Sequence, residues 1–309
     1  MVNQETILNE VKKAVVGKDD VLSMAFMAIL ARGHILVEDI PGVGKTTMAL
    51  AFSKALGLEY HRVQFTPDVL PSDIVGFSLP DKQTGEMIYK PGAILCNLFL
   101  ADELNRATSR TQSALLEAME EGRVTVDGIT HEVPDPFIVI ATQNPVGSSG
   151  TQLLPESQLD RFMVRLSLGY PDAEAELDLL RRKQEGNPLD KVRFTINSRE
   201  LAEMRSQVDG VYVDKKIFDY VIRLSAASRK HPAIVHGASP RASIAVVSMS
   251  KAAAFIEGRD YVIPDDVKAV YPATITHRLL LNAESKAAGK TQRAVLDEIV
   301  SSTPAPSAK

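Results

Sequence analysis

The feature that most constrains the fold is the stretch from His34 to Leu50, which reads HILVEDIPGVGKTTMAL. Its first four residues form a short apolar run with the length of one buried strand. A glycine-containing turn follows at 41–44, and the residues from Thr46 onward favour a helix. A strand, a glycine loop, a Lys-Thr pair and a helix, in this order, are typical of a loop that binds phosphate groups. The stretch therefore predicts an α/β fold with a nucleotide site at the start of this helix.

The residue types in this loop fit a triphosphate bound together with Mg²⁺. Glycine lets the backbone approach the phosphates because it has no Cβ atom, and the N–H groups that begin a helix bind anions. Lys45 is expected to reach the β- and γ-phosphates, and the Thr46 hydroxyl is expected to ligate Mg²⁺. The candidate nucleotide-binding residues of the loop are Pro41, Gly42, Val43, Gly44, Lys45, Thr46 and Thr47.

One residue departs from the strict phosphate-loop pattern, which has glycine where this chain has Asp39. A carboxylate beside a triphosphate would repel it, so we expect the Asp39 side chain to point away from the phosphates. The alternative interpretation of the stretch is an ordinary glycine turn before a helix.

A second apolar run, at 93–101, ends in the acidic pair Asp102-Glu103. Acids at the carboxyl end of a strand reach the crevice where α/β sheets bind ligands. Asp102 is expected to hold Mg²⁺, directly or through water, and Glu103 to polarise the water that attacks the γ-phosphate. Asn144 ends a third apolar run and is expected to orient that water. Taken alone, each of these polar residues also fits a solvated turn.

Length and composition describe a globular protein with two domains. The chain has 309 residues, of which 45% are hydrophobic and 24% charged. Its formal net charge of −4 disfavours a protein that mainly coats nucleic acid. The polar start of the chain is unlike a signal peptide, and the apolar run at 24–31 is too short to span a bilayer. These features predict a cytoplasmic location and no membrane span.

The rest of the chain predicts two hairpins followed by a helical half. Residues 77–89 form one expected hairpin, and residues 123–131 form another with Asp127-Gly128 at its turn, a pair that suits a type I′ turn. Helical periodicity dominates after Pro171. The expected helices span 173–184, 199–208, 215–229, 240–257 and 264–282.

These patterns predict three parts in sequence order. Residues 1–170 are expected to form the α/β core and residues 171–283 an all-α domain. Residues 284–309 are rich in Ala, Ser and Lys, which predicts a flexible tail.

Several sequence blocks follow the phosphate loop in a fixed order: ADELNRATSRTQSALLEAMEEGRVTVDG, IATQNP, LPESQLDRF and HGASPRA. Together they closely resemble the motifs of the MoxR family of AAA+ ATPases, and the resemblance covers residues 3–282. It implies a P-loop AAA+ core, in which helices flank a parallel sheet, and an α-helical lid. It also implies ATP and Mg²⁺ as cofactors and a homo-oligomeric ring, expected to be a hexamer.

The resemblance also implies roles for individual residues. It makes Lys45 and Thr46 part of the Walker A motif and Asp102 and Glu103 the Walker B pair. The other implied roles are sensor 1 for Asn144, an arginine finger for Arg161, sensor 2 for Arg241, and adenine contacts for Val16 and Gly17. By themselves, Arg161 also fits a surface or structural ion pair, and Arg241 fits a solvated arginine in the first turn of a helix.

Several functions remain open at this point. The resemblance favours an ATP-driven remodeller of protein complexes, whose clients or adaptors often carry von Willebrand A domains. A chelatase-like motor subunit for metal insertion shares the same fold and the same insert at 77–89. A nucleotide-gated scaffold with little turnover is the third candidate, which the complete Walker B pair disfavours. The acidic net charge disfavours a DNA translocase.

Overall fold

The computed structural model describes residues 4–144 and 154–306, and the chain divides into two compact units. Unit 1 consists of Met1–Ser23, His34–Leu154 and Leu166–Ala202, and unit 2 consists of Met24–Gly33, Pro155–Arg165 and Glu203–Lys309. Residues 145–153, which follow Asn144, lie outside the described residues.

The units are therefore discontinuous in sequence, whereas the sequence analysis expected continuous domains at 1–170 and 171–283. Segments 24–33 and 155–165 belong to the helical unit because their packing partners lie there. The buried Arg205 donates from Nε to the Ile29 carbonyl at 2.9 Å. His277 places Nε2 3.0 Å from the Phe162 carbonyl.

A five-stranded sheet organises the α/β part of the chain, in the order β2-β5-β8-β1-β9. The strands along the chain are β1 Ile35–Glu38, β2 Tyr60–Gln64, β3 Gly76–Pro80, β4 Met87–Pro91, β5 Leu98–Asp102, β6 Arg123–Val126, β7 Ile129–Glu132, β8 Ile138–Gln143, β9 Val164–Leu166, β10 Ile234–His236 and β11 Leu280–Leu281. Strands β2, β5, β8 and β1 pair in parallel. Every residue of β5 and β8 is buried, which is the pattern of central strands covered on both faces.

The helices complete both units. They are α1 Gln4–Lys12, α2 Asp19–Leu30, α3 Lys45–Ala55, α4 Pro71–Val75, α5 Ser109–Glu121, α6 Glu156–Leu159, α7 Ala173–Gln184, α8 Ser198–Asp209, α9 Lys215–Lys230, α10 Pro240–Ile256, α11 Pro264–Ile275, α12 Ala283–Ala287 and α13 Gln292–Ser302. None of the described helices combines the length and the apolar character needed to cross a membrane.

The register of the parallel strands determines which residues meet at the edge of the sheet. Glu38 at the end of β1 pairs with Gln143 at the end of β8, and Ala101 in β5 pairs with Ala141 in β8. The residues that follow these strands therefore leave the sheet at one edge, where α/β folds bind ligands.

Both predicted hairpins are confirmed. Strands β3 and β4 pair antiparallel, as do β6 and β7. At the second turn Asp127 has φ 51° and Gly128 has φ 79°, which are the two positive values that a type I′ turn requires. The ring centroids of Tyr89 and His131 lie 3.7 Å apart in a stacked pair that joins the two hairpins.

The expected flexible tail is wrong for the helical stretch that begins at Ala283. Asn282 and Thr291 cap α12 and α13 through their side chains. Within α13, Val295, Leu296 and Ile299 are buried, because α13 packs on α9 and α11. The Ala, Ser and Lys content of the segment concealed this apolar face.

The helix expected at 264–282 ends earlier, at Ile275. A 3₁₀ turn at Thr276–Arg278 and strand β11 follow it. Arg278 donates from Nη1 to the Thr274 carbonyl at 2.9 Å and so satisfies a carbonyl of the last helical turn.

Candidate nucleotide site

The loop between β1 and α3 has the backbone of an anion-binding loop. Gly42 has φ 85° and Gly44 has φ 97°, in the left-handed region that favours glycine. A Cβ atom added at either glycine would meet nothing within 4 Å, so the loop borders open space. Gly44 is the N-cap of α3 and has no side chain to cap the first N–H groups of the helix. These N–H groups can therefore bind an anion.

Lys45 is buried and connects the loop to the residue that follows β8. Its Nζ donates to the Asp39 carbonyl at 2.7 Å and to Oδ1 of Asn144 at 3.1 Å. Burial lowers the pKa of Lys45, while the carboxylates of Asp39, Asp102 and Glu103 act in the opposite direction. The ammonium group thus lies partly desolvated among acids, where it can attract a further anion.

The Asp39 carboxylate binds donors on both of its oxygens. Its Oδ1 accepts the Ile40 N–H at 2.9 Å, and its Oδ2 accepts the Ser167 hydroxyl at 3.0 Å and the Gly169 N–H at 2.6 Å. These bonds fix the side chain to residues 167–169, and it is the Asp39 backbone carbonyl that binds Lys45.

Asp102 lies buried at the end of β5, between two donors. Its Oδ1 accepts the Thr142 hydroxyl at 2.6 Å, and its Oδ2 accepts Nη2 of Arg62 at 2.7 Å. The Thr142 hydroxyl also accepts the N–H of Glu103 at 2.9 Å. Thr142, at the end of β8, therefore holds the acidic pair in register with its own strand.

Glu103 has an unusual backbone for a residue with a side chain. Its φ of 57° and ψ of 44° are left-handed, a conformation that costs about 1–3 kcal/mol and clusters at functional sites. Its Oε2 accepts Nη1 of Arg106 at 2.7 Å, and its Oε1 accepts Nδ2 of Asn144 at 3.4 Å. The carboxylate is therefore held by one cation and one amide.

The structure brings four of the predicted residues into one cluster. Asn144 binds Lys45 through Oδ1 and Glu103 through Nδ2, so one amide joins the phosphate loop to the acidic pair. Asp102 joins the cluster through the Thr142 hydroxyl, which donates to the Asp102 carboxylate and accepts the backbone N–H of Glu103. Thr46 and Thr47 lie in the first turn of α3.

Three residues of this cluster were not predicted from the sequence: Arg62, Arg106 and Thr142. Arg62 reaches Asp102 because β2 pairs with β5, and a pairing of strands that far apart in the chain cannot be read from spacing. Thr142 lies two residues before Asn144, among the polar residues that end the third apolar run. That position could have indicated from sequence that Thr142 belongs to the site.

The predicted adenine segment also lies in unit 1, beside the start of α7. A Cβ atom added at Gly17 would come within 2.5 Å of the Ala175 Cβ atom, so this position requires glycine. Gly17 has φ 68°, which also favours glycine. Val16 is half-buried next to it.

Arg161 and Arg241, by contrast, lie in unit 2. Asp160, which precedes Arg161, accepts the Ser239 hydroxyl at 3.0 Å. Ser239 caps the helix in which Arg241 is the second residue. The structure therefore connects the two segments that carry these arginines within one unit.

The fold and the cluster define the class of the protein: a P-loop nucleoside triphosphatase with a helical second unit. The ATPase family associated with various cellular activities (AAA) matches residues 34–164, and the AAA lid domain matches residues 226–299. A crystal structure of a protein from Cytophaga hutchinsonii ATCC 33406, assigned as an ATPase, superposes with a TM-score of 0.91 at 37% identity, over 98% of this chain and 94% of that one.

Relatives of known sequence narrow the assignment further. Protein YeaC of Bacillus subtilis (strain 168) is 44% identical over 97% of this chain and 93% of its own length. Chaperone MoxR1 of Mycobacterium tuberculosis (strain ATCC 25618 / H37Rv) is 35% identical over 98% of this chain and 82% of its own. The chain belongs to the MoxR family of AAA+ ATPases. The predicted fold, an AAA+ core with a helical lid, is confirmed, and the protein is an ATPase.

Proposed function

We propose that this ATPase hydrolyses ATP with Mg²⁺ in a ring of identical chains, and that it uses the energy to remodel or mature protein complexes. The observation that carries the proposal is the bridge made by Asn144 between Lys45 and Glu103. A single amide then contacts both the residue that binds phosphate and the residue that activates water. A change at the γ-phosphate can therefore alter the contacts of both Lys45 and Glu103.

In this proposal each residue of the cluster has one task. Lys45 binds the β- and γ-phosphates, and the N–H groups at the start of α3 bind their oxygens. Glu103 accepts the proton of the attacking water, and Asn144 orients that water without competing for metal. The cation Arg106 keeps the Glu103 carboxylate in place between turnovers.

The residues present also fit Mg²⁺. This ion takes oxygen ligands and is bound by one or two carboxylates together with substrate phosphates, rather than by a cage of protein side chains. Among the described residues no group of three or more His, Cys, Asp and Glu could hold a metal by itself. Asp102 and the Thr46 hydroxyl are the oxygen ligands in this proposal. The bound ion would neutralise charge on the phosphates.

The ring, its size and its partners rest on the family. AAA+ ATPases commonly form rings, and we propose a hexamer in which Arg161 acts as a finger toward the nucleotide of an adjacent copy. Arg241 is proposed as sensor 2, and Val16 and Gly17 as adenine contacts. A relative that bears the name chaperone supports protein clients, and von Willebrand A domain adaptors are proposed with them. A cytoplasmic location remains a prediction from sequence.

Two alternative functions differ from this proposal in the turnover they would show. A chelatase-like motor would couple turnover to metal insertion into a tetrapyrrole, and a scaffold would bind nucleotide with almost no turnover. The rate of ATP hydrolysis, measured with and without candidate protein partners, distinguishes the remodeller from the scaffold.

The test of the nucleotide site is the Lys45→Ala variant in calorimetry. Loss of the buried ammonium should abolish tight ATP binding, because its positive charge no longer faces the β- and γ-phosphates. The matched control is Lys54→Ala, since Lys54 lies on the same helix with its Nζ bonded to the Leu189 carbonyl. Unchanged ATP affinity in Lys45→Ala would contradict the assignment of residues 41–47 as a phosphate-binding loop.

A further inference from the structure

The segment that carries Arg161 is held by a residue far away in sequence, Arg278. Its Nε lies 2.8 Å from Oδ1 of Asp160, and its Nη2 donates to the carbonyls of Asp160 at 3.1 Å and Phe162 at 2.8 Å. One guanidinium group therefore binds the chain on both sides of Arg161. The Arg278 side chain is only 3% exposed, so water hardly competes for these bonds.

The same guanidinium is itself fixed in unit 2. Its Nη1 donates to the Thr274 carbonyl at 2.9 Å, which anchors it to the last turn of α11. Burial lowers the pKa of Arg278 to about 10, with Asp160 opposing the shift and Arg241 adding to it. The group therefore stays charged at neutral pH, and its two hydrogen-bonded nitrogens and its ion pair with Asp160 leave it little freedom to rotate.

The Asp160 carboxylate extends this arrangement to a second helix. It accepts the Ser239 hydroxyl at 3.0 Å on Oδ2 and at 3.3 Å on Oδ1. The same hydroxyl accepts the Ala242 N–H at 3.1 Å and so caps α10, whose second residue is Arg241. One carboxylate thus connects the segment that carries the predicted arginine finger with the segment that carries the predicted sensor 2.

A buried ion pair adds little net stability compared with apolar side chains of the same volume. Stability is therefore a weak reason for a chain to bury an arginine at this place. A planar guanidinium instead provides donors in a fixed fork, which can bind two carbonyls and a carboxylate at once. The geometry favours a role in fixing the backbone of residues 160–162.

We propose that Arg278 is the positioning residue for Arg161: through Asp160 and the two flanking carbonyls, it holds the Arg161 guanidinium in the orientation that stabilises the transition state at an adjacent copy. The inference rests on the proposed function, since it takes Arg161 as a finger that acts in trans. A displacement of about 1 Å in such a group can lower the rate about 10²-fold.

The test mixes two full-length variants and measures ATP hydrolysis. The acceptor chain carries Arg161→Ala and keeps its phosphate loop. The donor chain carries Lys45→Ala and keeps its finger. Three donors are compared: Lys45→Ala alone, Lys45→Ala with Arg278→Lys, and Lys45→Ala with Arg259→Lys. Lysine preserves the charge but cannot bind both carbonyls.

Arg259 provides the matched control because it also makes an ion pair inside unit 2. Its guanidinium binds the Asp266 carboxylate through two nitrogens, and the two side chains are 22% and 6% exposed. The melting temperature of each donor is measured in parallel. If the Arg278→Lys donor does not fold, Asp160→Asn replaces it, because asparagine keeps the shape of the acid and removes its charge.

We expect the reference mixture, with the Lys45→Ala donor alone, to be active and the mixture with the Arg259→Lys donor to match it. The mixture with the Arg278→Lys donor should be at least about tenfold less active. Equal restoration by the Arg278→Lys donor overturns the inference and leaves the proposed function intact. Equal loss with both lysine variants also overturns it, since the effect is then one of general destabilisation. An inactive reference mixture contradicts the shared site itself, and the inference fails with it.

Discussion

Two arginine–aspartate pairs of nearly equal length lie in very different surroundings. Arg62 and Asp102 in unit 1 are 2.7 Å apart with side chains 42% and 12% exposed. Arg278 and Asp160 in unit 2 are 2.8 Å apart, with side chains 3% and 24% exposed. The two pairs differ most in the arginine, because solvent competes for Arg62 and hardly reaches Arg278.

The difference fits the roles proposed for the two aspartates. As the proposed Mg²⁺ ligand, Asp102 must be able to change partners, and the exposed Arg62 can leave it readily. An acid that supports backbone geometry must keep its partners, so the buried pair suits Asp160. The two pairs teach that a contact distance alone does not tell a replaceable ion pair from a structural one.

The largest expected effect is on stability, in Arg278→Ala. The variant removes a buried guanidinium and leaves the Asp160 carboxylate and the carbonyls of residues 160, 162 and 274 without this donor. Breaking a buried pair in this way costs about 3–5 kcal/mol. Urea denaturation of the full-length chain measures the loss. A loss below about 1 kcal/mol would mean that the buried pair behaves like a surface pair.

A smaller effect is expected on catalysis, in Asn144→Ala. The variant removes the bridge between Lys45 and Glu103, and a lost catalytic hydrogen bond lowers kcat about 10²-fold. The matched control is Asn97→Ala at the other end of β5, where the amide bonds the Pro136 carbonyl. Equal losses of kcat in both variants would show that the bridge has no special part in turnover.

Next in size is a pH effect from His277. Burial, with Arg278 nearby, holds the pKa of His277 well below its ordinary value. Below about pH 6.5 the unfolded chain binds a proton that the folded chain does not, so this histidine makes stability fall by up to about 1.4 kcal/mol per pH unit as the pH decreases. His277→Gln should flatten the dependence of the unfolding free energy between pH 6.5 and 5. An unchanged slope would show that His277 takes up its proton equally in the folded and the unfolded chain.

The smallest effect is expected in Arg62→Ala. Because the arginine is 42% exposed and Asp102 keeps the hydrogen bond from the Thr142 hydroxyl, loss of the pair should cost less than about 1 kcal/mol of stability. The comparison with Arg278→Ala should be made under the same denaturation conditions. Losses of equal size in the two variants would break the distinction between the pairs.

The nucleotide cluster could be predicted from sequence because each of its parts is local. The residues that follow β1, β5 and β8 lie in short motifs, and a parallel sheet brings strand ends together. Arg62 could not be predicted, because its contact depends on which strand lies beside β5.

The contacts among Arg278, Asp160 and Ser239 in unit 2, by contrast, could not be predicted from sequence. Ser239 and Pro240 form a recognisable helix start, but Arg278 lies 118 residues from Asp160 and belongs to no motif. The sequence analysis also missed that 155–165 joins the helical unit, since the partners of this segment are distant side chains and carbonyls.

The central claim is that the cluster around Glu103 performs hydrolysis, and the Glu103→Gln variant tests it most directly. Glutamine keeps the size of the side chain and one of its two acceptor oxygens but cannot accept the proton of the attacking water. ATP affinity by calorimetry and turnover by phosphate release are measured on the same preparation. We predict unchanged ATP affinity and a turnover reduced at least about 10²-fold. Turnover at the normal rate with normal affinity would contradict the assignment of Glu103 as the base.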